Sequence, residues 1–365
     1  MSENNYKFEP DWLHLVAPGE SIFEAIQDKN LSQTTFAKYM DYSDKHIHKL
    51  ITGQASISED TALRLEKVLS IPARFWMNLE NAYREALAKK KEAEALSKNS
   101  EWLKQIPLQD MIKFNWIEKY SDKGLQIIES LKFYGVASVD AWHKQELDYK
   151  VAFKAYDKCN MDKVAIQTWL RKGEIEANAI FCNSFDKVKL KTSLGKLRAL
   201  TLIKNPSGFL PKLTALCANC GVAVVLVQTP NKCPMGGATK WLSSDKALLM
   251  LSARGKNDGS LWFSFFHELG HILKHNKKKL FLEGGKGFCN HNDLEDEADK
   301  FASEVLIPAK YMNEMTGLKS KQAVIDFSNK IGVSSGVVVG RMHHEKVIHY
   351  SYYKDLQTKY KYKFE

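Results

Sequence analysis

The sequence predicts a multidomain chain: an all-α N-terminal domain, a helical connector and an α+β C-terminal domain. Three observations predict it. The first eighty residues carry short amphipathic stretches separated by serine caps and turn residues. The middle is rich in helix formers and mixed charge. Two short apolar runs then precede a helical stretch bearing His267-Glu268-Leu269-Gly270-His271. The expected boundaries are 18–80, 81–200 and 201–345, with a basic aromatic tail at 346–365.

Composition narrows the class. The 365 residues are 44% hydrophobic and 26% charged, with 20 Gly and 9 Pro, which excludes a mainly disordered or collagenous chain. No apolar run reaches the roughly 18 residues of a membrane-spanning helix. The N-terminus is polar and partly acidic, unlike a signal peptide. Six cysteines make no disulfide framework, so the expected compartment is a reducing cytoplasm. The net charge of +10 is uneven. Residues 1–80 hold 8 basic and 12 acidic groups, net −4, and the remainder is net +14.

In the N-terminal part, Ser21–Asp28 places Ile22, Phe23 and Ile26 on one helical face. Ser32 caps a helix burying Phe36, Ala37 and Met40. Ser43 caps the next, which buries Ile47, Leu50 and Ile51 and stops at Gly53. Ser58 opens a fourth helix with Leu63, Leu65 and Val68, and Pro72 a fifth with Phe75, Trp76 and Leu79. Residues 81–98 read as an exposed linker helix. The runs at 222–228 and 247–252 read as strands, and Trp262–Lys274 and Asp293–Leu306 as helices.

Positions i and i+4 share a helix face, so His267 and His271 can reach one tetrahedral Zn²⁺, and Glu268 can reach a metal-bound water as general base. A third ligand is needed. Glu295 and Asp299 share a face at the start of the second helix. Glu295 is assigned as the ligand, with Glu297 the competing candidate, and Asp299 as the acceptor that fixes a histidine tautomer. The stretch HELGHILKH followed by EDEADKFASEVLIP is similar to the ImmA/IrrE family of zinc metallopeptidases, matching at Glu295, Ala298, Asp299, Phe301, Ala302, Leu306 and Pro308. The resemblance covers about 210–345. It implies a zincin-like fold, Zn²⁺ on His267, His271 and Glu295, catalysis by Glu268, and a repressor protein as substrate. No oxyanion donor is assigned; His275, Tyr311, His343 and His344 are candidates.

Residues 32–53 have the spacing of a helix-turn-helix, whose second helix places Ser43, Lys45, His46, His48 and Lys49 toward base edges and whose first presents Gln33 and Thr34 to phosphate. Residues 18–80 resemble the HigA/VapI branch of Cro/C1-type (XRE family) domains, including the Phe75-Trp76-Met77-Asn78-Leu79 ending. The resemblance implies operator DNA as partner, bound as a homodimer, or a cognate toxin. Asp41 stands where that family has Gly in the turn, and Asp tolerates positive φ.

Smaller signals have bland readings. Cys217, Cys220 and Cys233 are read as packing residues. Cys289 and His291, in the loop between the metal helices, are an inhibitory-ligand candidate; Lys277, Lys278 and Lys279 read as a solvated face. The tail aromatics with Lys359, Lys361 and Lys363 are read as packing on the domain surface. Two functions follow: a DNA-binding regulator whose peptidase domain cleaves a repressor, or an antitoxin-like repressor whose metal domain binds a partner without cleaving it.

Overall fold

The computed structural model describes residues 17–152, 162–252, 257–277, 280–284 and 293–360. The chain divides into two compact units, residues 1–100 with 120–128, and residues 101–119 with 129–365.

The first unit holds α1 (Pro18–Asp28), α2 (Gln33–Met40), α3 (Asp44–Ile51), α4 (Glu59–Leu69) and α5 (Ala73–Leu96). Serine caps start α2, α3 and α4: Ser32, Ser43 and Ser58 accept from the backbone N–H of Thr35, His46 and Thr61 at 3.1–3.2 Å. Asp41 ends α2 in the left-handed region at φ 54°. Arg64 reaches from α4 to that turn, donating to Met40 O at 2.9 Å and Asp41 Oδ2 at 3.3 Å. The core gathers Ile22, Phe36, Ile47, Leu65 and Trp76.

Three expected core residues, Phe23, Leu63 and Phe75, are exposed. The buried stripe of α4 runs through Thr61, Ala62, Leu65 and Leu69, and Leu63 lies off it. Likewise Ile22, Ala25 and Ile26 take the inner face of α1. The fifth helix and the expected linker helix are one uninterrupted helix, because nothing between 73 and 96 breaks it.

The second unit adds α6 (Leu108–Lys113), the C-terminal part of α7 (Lys123–Tyr134), α8 (Val139–Ala152), α9 (Lys163–Ala179), α10 (Lys187–Ala199) and α11 (Pro206–Ala218). There follow β1 (Val222–Val227), β2 (Met235–Trp241), β3 (Ala247–Ser252), α12 (Asp258–Lys274), β4 (Phe281–Gly284), α13 (Asp293–Leu306), α14 (Met312–Thr316), α15 (Lys321–Ile331) and α16 (Ser335–His344).

The sheet order is β1-β3-β2-β4. β1 and β3 are parallel, and β2 runs antiparallel to both β3 and β4. Alternation sorts side chains to two faces. Val222, Val224, Leu249 and Leu251 join α12 and α16 in one core. Ala223, Val225, Leu248 and Met250 join Ile166, Trp169 and Leu170 of α9 in another. Trp169 Nε1 donates to Val227 O at 3.3 Å. Residues 163–179, which the sequence places in a connector, are therefore the cover of one sheet face. A sheet of continuous apolar runs needs both faces covered.

The C-terminal segment returns to the start of α12. Thr358 N donates to Asp258 Oδ1 at 3.0 Å, Asp258 N donates to Thr358 O at 2.9 Å, and Asn257 bridges Lys359. Tyr360 is buried against Phe209. Among the described residues no helix is long and apolar enough to cross a membrane.

Candidate metal centre

The metal-ligand candidates stand on two helices that pack closely. A Cβ on Gly270 would lie 3.1 Å from Phe301 Cδ1 and 3.2 Å from Ala298 Cα, so the glycine lets α12 approach α13. That approach brings the first turn of α13 over His267 and His271. His267 Nε2 lies 3.1 Å from Glu295 Oε2 and 3.0 Å from His271 Nε2, and His271 Nε2 lies 3.5 Å from Glu295 Oε2. All three residues are buried, with their ligand atoms within 4.8 Å of one another.

Partners behind these atoms orient them. Asp299 Oδ1 sits 2.7 Å from His267 Nδ1, which leaves Nε2 aimed at the common point. His271 Nδ1 lies 2.8 Å from His275 Nδ1, and the His271 ring stacks on Phe281 at 4.1 Å. Glu297 is spent elsewhere: it holds Lys274 at 3.1 Å and His275 at 3.2 Å on the surface. Two imidazole nitrogens and one carboxylate in a nearly dry pocket are a donor set that fits zinc.

Glu268 is fully buried. Thr239 on β2 donates to its Oε2 at 2.6 Å, and its Oε1 has no hydrogen-bond partner among the described residues. Strand register explains the setting. Gly237 and Thr239 are two apart on β2 and share the face toward α12; Glu283 and Phe281 pair with them on β4 and share it too. A Cβ on Gly237 would sit 2.6 Å from Glu268 Oε1 and 2.8 Å from Glu283 Oε2. Only glycine leaves room there for two carboxylates. Glu283 is also held by Ser264, which donates to Oε1 at 2.8 Å.

The electrostatics favour a cation. Burial opposes charging His267, but the bonds to Asp299 and Glu295 and the charges of Glu268 and Glu283 outweigh it and hold the imidazole up at about 11 in the ion-free protein. Burial lowers His271. Burial works to raise Glu295, but His267 and His271 win and bring it down to about 2. Burial, aided by Glu283 and opposed by His267, lifts Glu268 to about 8.

Thr239 and Glu283 are absent from the sequence-level candidates. Met235-Gly236-Gly237-Ala238-Thr239 has no alternating pattern, and nothing local marks either residue. Beside the centre lies a cavity of about 310 Å³, lined by Phe263, Ser264, Glu283, Leu306, Val337 and Arg341 among others. Of the oxyanion candidates, His275 is taken up by His271 and Glu297, Tyr311 packs edge-on to Phe327, and His343 bonds Tyr352 O at 3.0 Å. His344 is exposed beside Glu345.

The cysteines at 217, 220 and 233 are buried, and burial pushes the Cys217 thiol well up. Lys277 lies over the Trp241 ring at 4.3 Å and donates to Ser244 O, so it is not a free solvated charge. Cys289, His291, Lys278, Lys279, Lys361 and Lys363 lie outside the described residues.

On the helix-turn-helix, Gln33 and Thr34 are exposed in the first turn of α2, and Lys45, His48 and Lys49 are exposed on α3. Ser43 is spent as the α3 cap. The His46 ring packs edge-on to Tyr42 at 4.5 Å, and Tyr42 in turn sits under Arg64. His46 thus buttresses the helix more than it projects from it.

One unit thus carries a helix-turn-helix, and the other a buried cluster of two histidines and a glutamate that could hold a metal ion. Family models agree: one for the helix-turn-helix matches residues 22–76, and one for the IrrE N-terminal-like domain of peptidase family M78 matches residues 227–343. An uncharacterised HTH-type transcriptional regulator of Escherichia coli K12, YddM, is 33% identical over 73 residues, which are 20% of this chain and 78% of that protein. Virulence-associated protein I of Dichelobacter nodosus is 33% identical over 69 residues, 19% of this chain and 64% of that one. The solved structure of an addiction module antidote protein of the HigA family from Coxiella burnetii is 32% identical, spans 23% of this chain and 92% of its own, and superposes with a TM-score of 0.21. The chain belongs to the HTH-type transcriptional regulators and carries an IrrE N-terminal-like domain of the M78 peptidases.

Proposed function

We propose that this DNA-binding regulator is also a zinc-dependent endopeptidase that acts in the cytoplasm on a repressor protein. The observation that carries the reading is Glu268: a fully buried carboxylate beside two histidines and Glu295, held at one oxygen by Thr239 and unpartnered at the other. A protein that only held a metal would have no use for a dry carboxylate there, because burying one without full hydrogen bonding is costly. His267, His271 and Glu295 hold zinc in this reading, and Asp299, by accepting from Nδ1 of His267, turns its Nε2 toward the metal. When bound, zinc supplies a Lewis acid that polarises a carbonyl and acidifies a water. Glu268 takes the water proton at Oε1 and returns it to the nitrogen of the leaving amine.

In the DNA-binding role, Lys45, His48 and Lys49 of α3 meet base edges and Gln33 and Thr34 meet phosphate, with a homodimer on a two-fold operator. The test of the enzyme is cleavage of the repressor encoded beside this chain, or of its own 81–104 segment, by the parent and by Glu268→Gln, read by gel and mass spectrometry in stressed host cells and with purified protein. The parent should cut and the variant should not. If both leave every candidate intact while both still control transcription, the peptidase reading fails and an antitoxin-like repressor with a metal-holding partner domain takes its place.

A further inference from the structure

The stretch from Lys187 to Ser244 contains nine lysines and arginines and no aspartate or glutamate, in a chain with 43 acidic residues in 365. Five of these bases fall on α10, four lysines and Arg198. Leu190 and Leu197, i and i+7, are fully buried and fix the side of α10 that faces the core. Lys187 and Lys191 run along one flank of the outward side, and Lys189 and Lys196 along the other. Between the flanks lie Val188, Thr192 and Gly195, all exposed, and a Cβ on Gly195 would meet nothing within 4 Å. The outward face is a shallow track of small side chains with a lysine row on each side.

Several other lysines are neutralised by acidic neighbours. Lys172 pairs with Glu176, Lys321 with Asp355 and Lys330 with Glu314. Among the described residues none of the four α10 lysines makes an ion pair. Arg198, two residues past Lys196 on the same helix, turns inward instead and donates to Leu306 O at 3.0 Å.

We propose that this face of α10 is a second, sequence-independent contact for duplex DNA, in which the two lysine rows straddle a phosphate backbone. Duplex DNA is favoured among polyanions because the chain already carries a helix-turn-helix, and because residues 1–80 are net −4. Counterion release from phosphates supplies most of non-specific affinity, and it needs cations that the acidic N-terminal segment is short of. An anionic membrane is a poorer fit: Val188 is the one apolar side chain on the track, whereas an interfacial helix needs a broad apolar face. The proposal does not rest on the peptidase reading.

The test is a fluorescence anisotropy titration of the full chain against a duplex of arbitrary sequence, from 50 to 200 mM salt. The variant carries Lys187→Gln, Lys189→Gln, Lys191→Gln and Lys196→Gln together, and a matched variant carries Arg at the same four positions. Lysine, glutamine and arginine have similar helix propensity, and thermal melts followed by circular dichroism check that both variants fold. The Gln variant should bind more weakly, with a log K against log salt slope shallower by about 2–4 units. The Arg variant should keep the parent slope. An unchanged slope and affinity in the Gln variant would overturn the proposal. So would a loss confined to phosphatidylglycerol vesicles with duplex binding intact, which would assign the face to a membrane surface.

Discussion

At the residue scale, the proposed ligand His267 and the proposed base Glu268, one residue apart on α12, should have separable effects. His267→Ala removes a donor atom, so elemental analysis should fall from about one zinc per chain to near none, as for any site reduced to two protein ligands. Glu268→Gln leaves all three donors in place and should keep the zinc while slowing hydrolysis by about 10²–10⁴, the usual worth of a positioned base. The same cluster sets a pH dependence. In the ion-free protein His267 holds its proton up to about 11, while burial keeps His271 readily neutral and Glu295 is ionised down to about 2. A metal arriving near neutral pH must therefore displace a proton from His267, and its charge also draws the proton from Glu268, which burial lifts to about 8. Apparent zinc affinity should rise by about tenfold per pH unit or more between pH 6 and 8. A chelator-competition titration giving a flat profile would count against this account.

At the element scale, the legibility of the chain follows from how local each signal is. Helices with a serine cap and a 3.6-residue stripe, such as α2 and α3, are visible in a dozen residues, and so are the two histidines of α12. Glu295 and Asp299 share one short motif on α13, which made their pairing visible too. Thr239 and Glu283 were not legible, because strand register between β2 and β4 puts them beside Glu268 across 29 and 15 positions of sequence. The role of α9 was hidden for a similar reason: its apolar stripe does not say which sheet it covers. Two predictions belong here. Gly237→Ala, which drives a Cβ into Glu268 and Glu283, should destabilise the unit by about 1–3 kcal/mol, the range for overpacking, with denaturant midpoints as the readout. Trp169→Ala should cost about 3–5 kcal/mol, as large-to-small changes in a core do, although it lies far from the metal helices in sequence. A cost under about 0.5 kcal/mol would mean α9 is an accessory rather than half of the sheet's cover.

At the scale of the whole molecule, charge is partitioned between the acidic N-terminal segment and the basic remainder. Operator recognition should then depend on few groups. Lys45→Ala with Lys49→Ala should weaken binding to the region upstream of its own gene at fixed salt, in a gel-shift titration, and equal binding would exclude α3 as the reading helix. The return of the C-terminal segment has a consequence of another kind. Thr358 meets Asp258 across 100 positions, so this junction closes the polypeptide into a ring that contains β4, α13 and all three proposed metal donors. Opening such a ring restores chain entropy to all that lies within it, and the cost of closing rises only slowly with length. It also strips a buried acceptor, Asp258, of one of its donors. Trimming the chain after Gln357 by a carboxypeptidase should therefore act at a distance, loosening zinc retention although no ligand is touched. Residues Thr358 to Tyr360 would then govern the lifetime of the loaded protein.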